Sequence, residues 1–127
     1  MTIWPGKSDD PLQLIGVAHD AKADLFRAGE VWNASPSQDV VSYRIGWLIF
    51  PKNGDKPIER EGRLLKLKSP LAPDQRVIIP AQNVKPEEGE DGLHNRVVFY
   101  IAEAILGDGT DWRPDLSVIE KKYTPPR

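Results

Sequence analysis

The chain has no cysteine. That removes disulfide staples, thiolate metal sites and cysteine nucleophiles together, and it is compatible with either redox compartment. An excess of one charge is also missing. Seventeen basic residues face nineteen acidic ones, a net charge of −2, so nothing favours a phosphate backbone and no nucleic-acid partner is expected. No run approaches the roughly 18–20 apolar residues of a membrane helix, so no membrane span is expected. Histidine is scarce: His19 and His94 are the only two, far apart and without ligand-like neighbours at metal spacing. There is no Gly-x-Ser-x-Gly elbow, and "GEDG" lacks the lysine and the strand-to-helix setting of a phosphate loop. No cofactor, metal or enzymatic activity is expected. An enzyme would need His19 or His94 brought against two carboxylates in a pocket. The opening "MTIWPGKSDDP" has no apolar h-region of a secretory signal. Two settings stay open: a cytoplasmic protein, or the mature part of an exported one whose signal was removed.

What is present suits one domain. A chain of 127 residues buries roughly two-thirds of the surface it exposes when unfolded, enough to hold without staples. Twelve prolines and ten glycines punctuate short apolar runs, the pattern of an all-β sandwich or barrel. The clearest run is "VVSYRIGWLIF", 40–50: Val41, Tyr43, Ile45, Trp47 and Ile49 alternate with Ser42, Arg44 and Gly46 before Leu48 and Phe50 blur the pattern. Period two with β-branched and aromatic residues predicts a half-buried strand. Pro51 ends it, and Asn53-Gly54 suits a tight hairpin.

Strands are also predicted at 12–20 and 24–35, the inward face of the second left open. "HDAKADLFRAGE" is a weaker helical alternative. Alternating leucines and lysines in 62–70 predict an edge strand, and 75–79 a short one. Residues 85–95, "KPEEGEDGLHN", predict a long acidic surface loop. "RVVFYIAEAIL", 96–106, predicts a central strand apolar on both faces. In it Val98, Tyr100, Ala102, Ala104 and Leu106 share one register, and Glu103 lies on the more exposed side. A last short strand is expected at 116–119. The expected body is 12–119, with an N-terminal extension over 1–11 and a flexible tail over 120–127.

The stretch "AILGDGTDW", 104–112, is read as a corner and not as an acidic site. Asp108-Gly109 between Leu106 and Trp112 is a hairpin signal: glycine accepts positive φ and aspartate bonds the backbone just ahead. A calcium site needs about six to eight oxygens, and Asp108 and Asp111 have no following glutamate at the required spacing.

Asn33-Ala34-Ser35 after a strand, a tryptophan-bearing strand at 40–50 and the closing "AILGDGTDW" together resemble small immunoglobulin-like or fibronectin type III-like domains. The pattern is similar in particular to uncharacterised bacterial, often exported, domains ending in Asp-Gly-Thr-x-Trp. The resemblance covers about residues 12–118 and implies an antiparallel β-sandwich of about seven strands, with Trp47 as the core tryptophan of its third strand. It carries no shared enzymatic activity, and fold likeness alone gives no function. The expected function is a non-enzymatic accessory or protein-interaction domain. The alternative is a carbohydrate-binding module using exposed tryptophans. Candidate contact residues are Trp4 and Trp32, and in the acidic loop Glu87, Glu88, Glu90, Asp91 and His94; the 51–57 hairpin is a further contact candidate.

Overall fold

The computed structural model describes residues 2–20, 25–51, 56–79, 82–83 and 96–123. Their elements are β1 (Thr2–Ile3), β2 (Leu12–Asp20), β3 (Leu25–Asn33), β4 (Val40–Phe50), β5 (Ile58–Glu61), β6 (Leu65–Leu71), β7 (Arg76–Ile78), β8 (Gln82–Asn83), β9 (Arg96–Leu106), β10 (Asp111–Trp112) and α1 (Leu116–Tyr123). The protein is mostly β. One sheet runs β1-β9-β4-β5, with β10 also on β9 and β6 also on β4. The other runs β2-β3-β7, with β8 also on β3. Every pairing is antiparallel except β1 with β9. No helix among the described residues is long and apolar enough to cross a membrane.

The long strands form where period two and β-branched residues predict them. Alternation on β4 sends Tyr43, Ile45, Trp47 and Ile49 into a layer between the sheets. They meet Phe99 and Ile101 of β9 and, from the second sheet, Leu12, Leu14, Val31 and Ile79. Leu48 and Phe50 do not blur a polar face. With Val98, Tyr100 and Ala102 they form a second apolar layer on the far side of β4 and β9. Gly46 makes room there, since a Cβ on it would lie 2.8 Å from Tyr100 Cζ.

That outer layer is roofed by α1, where the sequence predicted a strand. Asp115 caps the helix: its Oδ1 accepts from the Ser117 backbone N–H at 3.0 Å. Lys121 and Lys122 occupy the last turn, where cations suit the helix dipole. Leu116, Ile119 and Tyr123, at helical spacing, face the sheet. Eight residues are too few for a stable isolated helix. Full burial of Ile119, worth about 1.5–3 kcal/mol, holds it in place. The helix also takes in residues 120–123 of the expected flexible tail.

The N-terminal stretch, expected as an extension, is built into the body. Thr2 and Ile3 pair with Val98 and Phe99, Trp4 N–H donates to Phe99 O at 2.7 Å, and the Tyr123 hydroxyl donates to Ile3 O at 3.2 Å.

Bulges correct two further expectations. Val40, not Val41, enters the inner layer, because the register shifts between Val40 and Ser42. A second shift pairs Arg44 with Glu103 but Ile45 with Ile101, leaving Ala102 as the extra residue. Alternation therefore breaks: Ala104 and Leu106 turn inward while Glu103 joins Ala102 on the outer face. Glu103 is buried at 4% exposure, against its predicted exposed side.

The 107–110 corner has the turn chemistry its residues predict. Leu106 N–H donates to Thr110 O and Gly109 N–H to Leu106 O, both at 2.9 Å. Asp108 Oδ1 accepts from the Thr110 N–H at 2.9 Å, and that bond, then one from the hydroxyl, holds the Asp108 carboxyl below its usual range. Gly109 has φ 91°. A Cβ on Gly109 would meet nothing within 4 Å, so the cost of a side chain there is backbone strain alone. Gly109→Val is expected to destabilise the protein by about 1 kcal/mol or more, read as a lower melting temperature; an unchanged melt contradicts the turn.

Candidate functional site

Of the sequence-predicted contact residues, the structure describes Trp4 and Trp32. Glu87, Glu88, Glu90, Asp91 and His94 lie outside the described residues, as do the tip of the 51–57 hairpin and the His19 side chain. Trp4 is half-buried on the outer layer, edge-on to Tyr123 at 6.4 Å and under Lys122 Nζ at 4.9 Å. Trp32 is half-buried on the other sheet. It is flanked across the strands by Gln13 and Arg76, and its Nε1–H donates to Asp74 Oδ1 at 3.0 Å. Val31, its neighbour in β3, faces the inner layer, so Trp32 points the opposite way. The two tryptophans thus occupy opposite outer faces and form no common platform.

Trp4 instead shares a small cleft of about 180 Å³ with Trp112, Lys7, Asp9, Asp10, Arg113 and Asp115. Much of its polarity is already in use. Asp10 accepts from the Lys7 backbone N–H, and Asp115 caps α1.

Beside this cleft lies the main buried charge cluster. Glu103 Oε1 takes Arg44 Nε–H at 3.2 Å and Oε2 takes Arg113 Nη2–H at 2.9 Å. Arg44 also donates to Gly62 O at 2.9 Å, and Arg113 reaches Glu61 at 3.7 Å and Asp111 at 4.0 Å. Burial opposes charge on Glu103, but hydrogen bonds from Asp111 and Arg44 and the two guanidinium charges outweigh it and hold the carboxyl below the usual glutamate range. Asp111 moves up, because it shares a hydrogen bond with Glu103. Both Glu103 oxygens are engaged, so the cluster ties β4, β9 and β10 together and offers no free base.

The unfolded glutamate titrates near 4.5 and the folded one lower. The stability Glu103 contributes is therefore complete above that pH and is lost as pH falls through the folded value. Asp111 works in the opposite sense: its contribution is present below the ordinary aspartate value and lost as pH rises through the raised one. Glu103→Gln is expected to cost about 1–3 kcal/mol at neutral pH, less than a wholly buried pair because Arg113 is half exposed. It should also flatten the acid limb of a plot of denaturant midpoint against pH. Parallel limbs for the two proteins contradict this role.

An open apolar feature lies elsewhere, between β6 and β7. Tyr43, Leu64, Leu65, Leu67 and Ile78 line a groove of about 460 Å³, and the charged residues lining it, Arg63 and Lys66, are both basic. Ile78 is 68% exposed, the most exposed large apolar side chain among the described residues. Burial pushes the Tyr43 phenol up to about 12, so at neutral pH it stays a neutral hydrogen-bonding group. The groove is bounded by β6, whose described partner is β4, and β7, whose described partner is β3. Sequence patterning marked β6 as an edge but carried no sign that residues 64–67 and 78 converge.

Among the described residues no group of three or more His, Cys, Asp or Glu side chains is placed to hold a metal. Comparison with protein families, with known proteins and with solved structures finds no match.

Proposed function

We propose that the protein is a non-enzymatic interaction domain of immunoglobulin-like architecture that meets a protein partner along the open side between β6 and β7. The strand order supports the architecture: β10-β9-β4-β5 and β2-β3-β7 follow the two-sheet order of such sandwiches, with the buried Trp47 on the third long strand. The interaction reading is carried by Ile78, a large apolar side chain left 68% exposed at a strand edge beside an apolar groove. An accessory role in a bacterial envelope or secreted protein belongs to the same proposal and is supported by the sequence resemblance alone.

A photo-reactive phenylalanine placed at Ile78 and, as a control, at the exposed Thr110 tests it in the cell that makes the protein. The expected result is one discrete protein adduct from position 78 and none from 110. Equal labelling at both positions, or none at either, contradicts it.

A second reading, carbohydrate binding, is favoured by one observation: Trp4 and Trp112 together line the small polar cleft. Tryptophan fluorescence that responds to a saccharide panel, and no longer does so in Trp4→Ala, would support it; no response removes it.

A further inference from the structure

We propose that β7 is the receiving edge for an extended polypeptide segment, added as a further strand, in which apolar residues alternate with acidic ones. The proposal rests on the interaction reading and specifies its chemistry.

Backbone geometry selects the strand. Asn33 N–H donates to Gln75 O at 2.9 Å and Ile79 N–H to Gly29 O at 2.8 Å. In an antiparallel ladder the residues alternate between bonding the partner strand and facing away. Residues 75, 77 and 79 therefore bond β3, and the N–H and C=O groups of Arg76 and Ile78 point off the sheet. They have no backbone partner among the described residues.

The edges at β6, β5 and β2 are guarded in ways that discourage pairing. β6 carries Lys66, Lys68 and Pro70. It also slips between its pairs with β4, Leu71 opposite Val40 but Lys66 opposite Ser42. β5 presents exposed Glu59, Arg60 and Glu61, and β2 is interrupted by two register shifts. β7 is short and carries Arg76, 4.0 Å from Glu30, but it lacks the lysines, proline and slipped register of β6, and it carries the exposed Ile78.

Side-chain chemistry selects the occupant. A strand laid beside β7 would run along the groove. Residues on its inner face would cover the half-buried Leu64 and Leu67, and its other residues would pass Arg63 and Lys66. Among the described residues no acidic side chain lines the groove. An apolar–acidic alternation matches both features, main-chain bonds supplying affinity and alternate side chains specificity.

The test titrates ¹⁵N-labelled protein with a capped hexapeptide of alternating valine and glutamate, its valine–lysine counterpart, and a valine–glutamate peptide N-methylated at alternate amides. Saturable amide shifts centred on Arg76–Ile78 and Leu65–Leu67 are expected. Binding should be at least about tenfold weaker for the lysine peptide, through like-charge contact with the basic rim, and absent for the N-methylated one. Ile78→Glu should abolish the shifts, by removing the apolar contact and repelling the peptide's acidic residues, without lowering the melting temperature, because the side chain is exposed. Equal binding of the N-methylated peptide overturns strand addition while leaving a protein contact at the groove intact. Shifts that follow protein concentration and not peptide overturn it in favour of a second copy of the chain. No saturable shift at either segment overturns it outright, and the Ile78 cross-link then decides separately whether the interaction reading survives.

Discussion

Trp47→Ala is expected to lower the unfolding free energy by about 3–5 kcal/mol, the range for removing a large aromatic side chain from a close-packed core. Trp47 is 6% exposed in the layer between the sheets. It sits directly across from Phe99 in the β4–β9 ladder, with ring centroids 6.3 Å apart and planes tilted by 41°. No hydrogen bond is lost with it, since Trp47 Nε1 is buried without a partner among the described residues. Both alanine and phenylalanine remove that donor, which costs about 1–3 kcal/mol to bury unpaired, so retained packing sets the order of the two variants. Trp47→Phe keeps most of the packing, so it should melt well above Trp47→Ala. Chemical denaturation checks both. A near-native alanine variant would mean that β4 presents its other face to the core.

The second large effect is expected at Ile119→Ala, about 2–5 kcal/mol. Ile119 is fully buried among Leu48, Phe50, Val98, Tyr100 and Ala102. The loss should also reach the N-terminus, because α1 and the first strand hold each other: Tyr123 meets Trp4 edge-on and bonds Ile3 O. Amide exchange at Ile3 and Trp4 should therefore quicken together with exchange in the helix. Native stability with unchanged exchange would show that the helix does not cover the sheet. The Tyr100 hydroxyl beneath it is buried without a partner among the described residues, and burial, with the charges of Glu59, Glu61 and Glu120, pushes its pKa up. The phenol stays neutral under the roof.

The long strands were legible because their information is local. Alternation and β-branching mark 12–20, 40–50 and 96–106, and β2, β4 and β9 have those bounds. The 107–110 turn was legible for the same reason: Asp108-Gly109 carries its own backbone chemistry. Two things were misread although a signal was there. Asp115 before Leu116, Ile119 and Tyr123 is a cap followed by a helical stripe, at the place where a short strand was expected. Leu48 and Phe50 announced a second apolar layer that alternation alone treats as noise.

Other features have no local sign. The bulge at Ala102 exists because β4 and β9 pair out of step at Arg44, and it is what turns Glu103 into the arginine cluster. The β6–β7 groove likewise comes from two segments that only topology brings side by side.

Everything about the groove and the roof depends on one arrangement, a β4–β9 ladder clad on both faces by different elements. Methyl nuclear Overhauser contacts test it most directly. The account predicts that Leu48 and Val98 see Ile119 and not Leu14 or Val31, while Ile45 and Ile101 see Leu14 and Val31 and not Ile119. Contacts from Leu48 to Leu14 or Val31, or from Ile45 to Ile119, would contradict it.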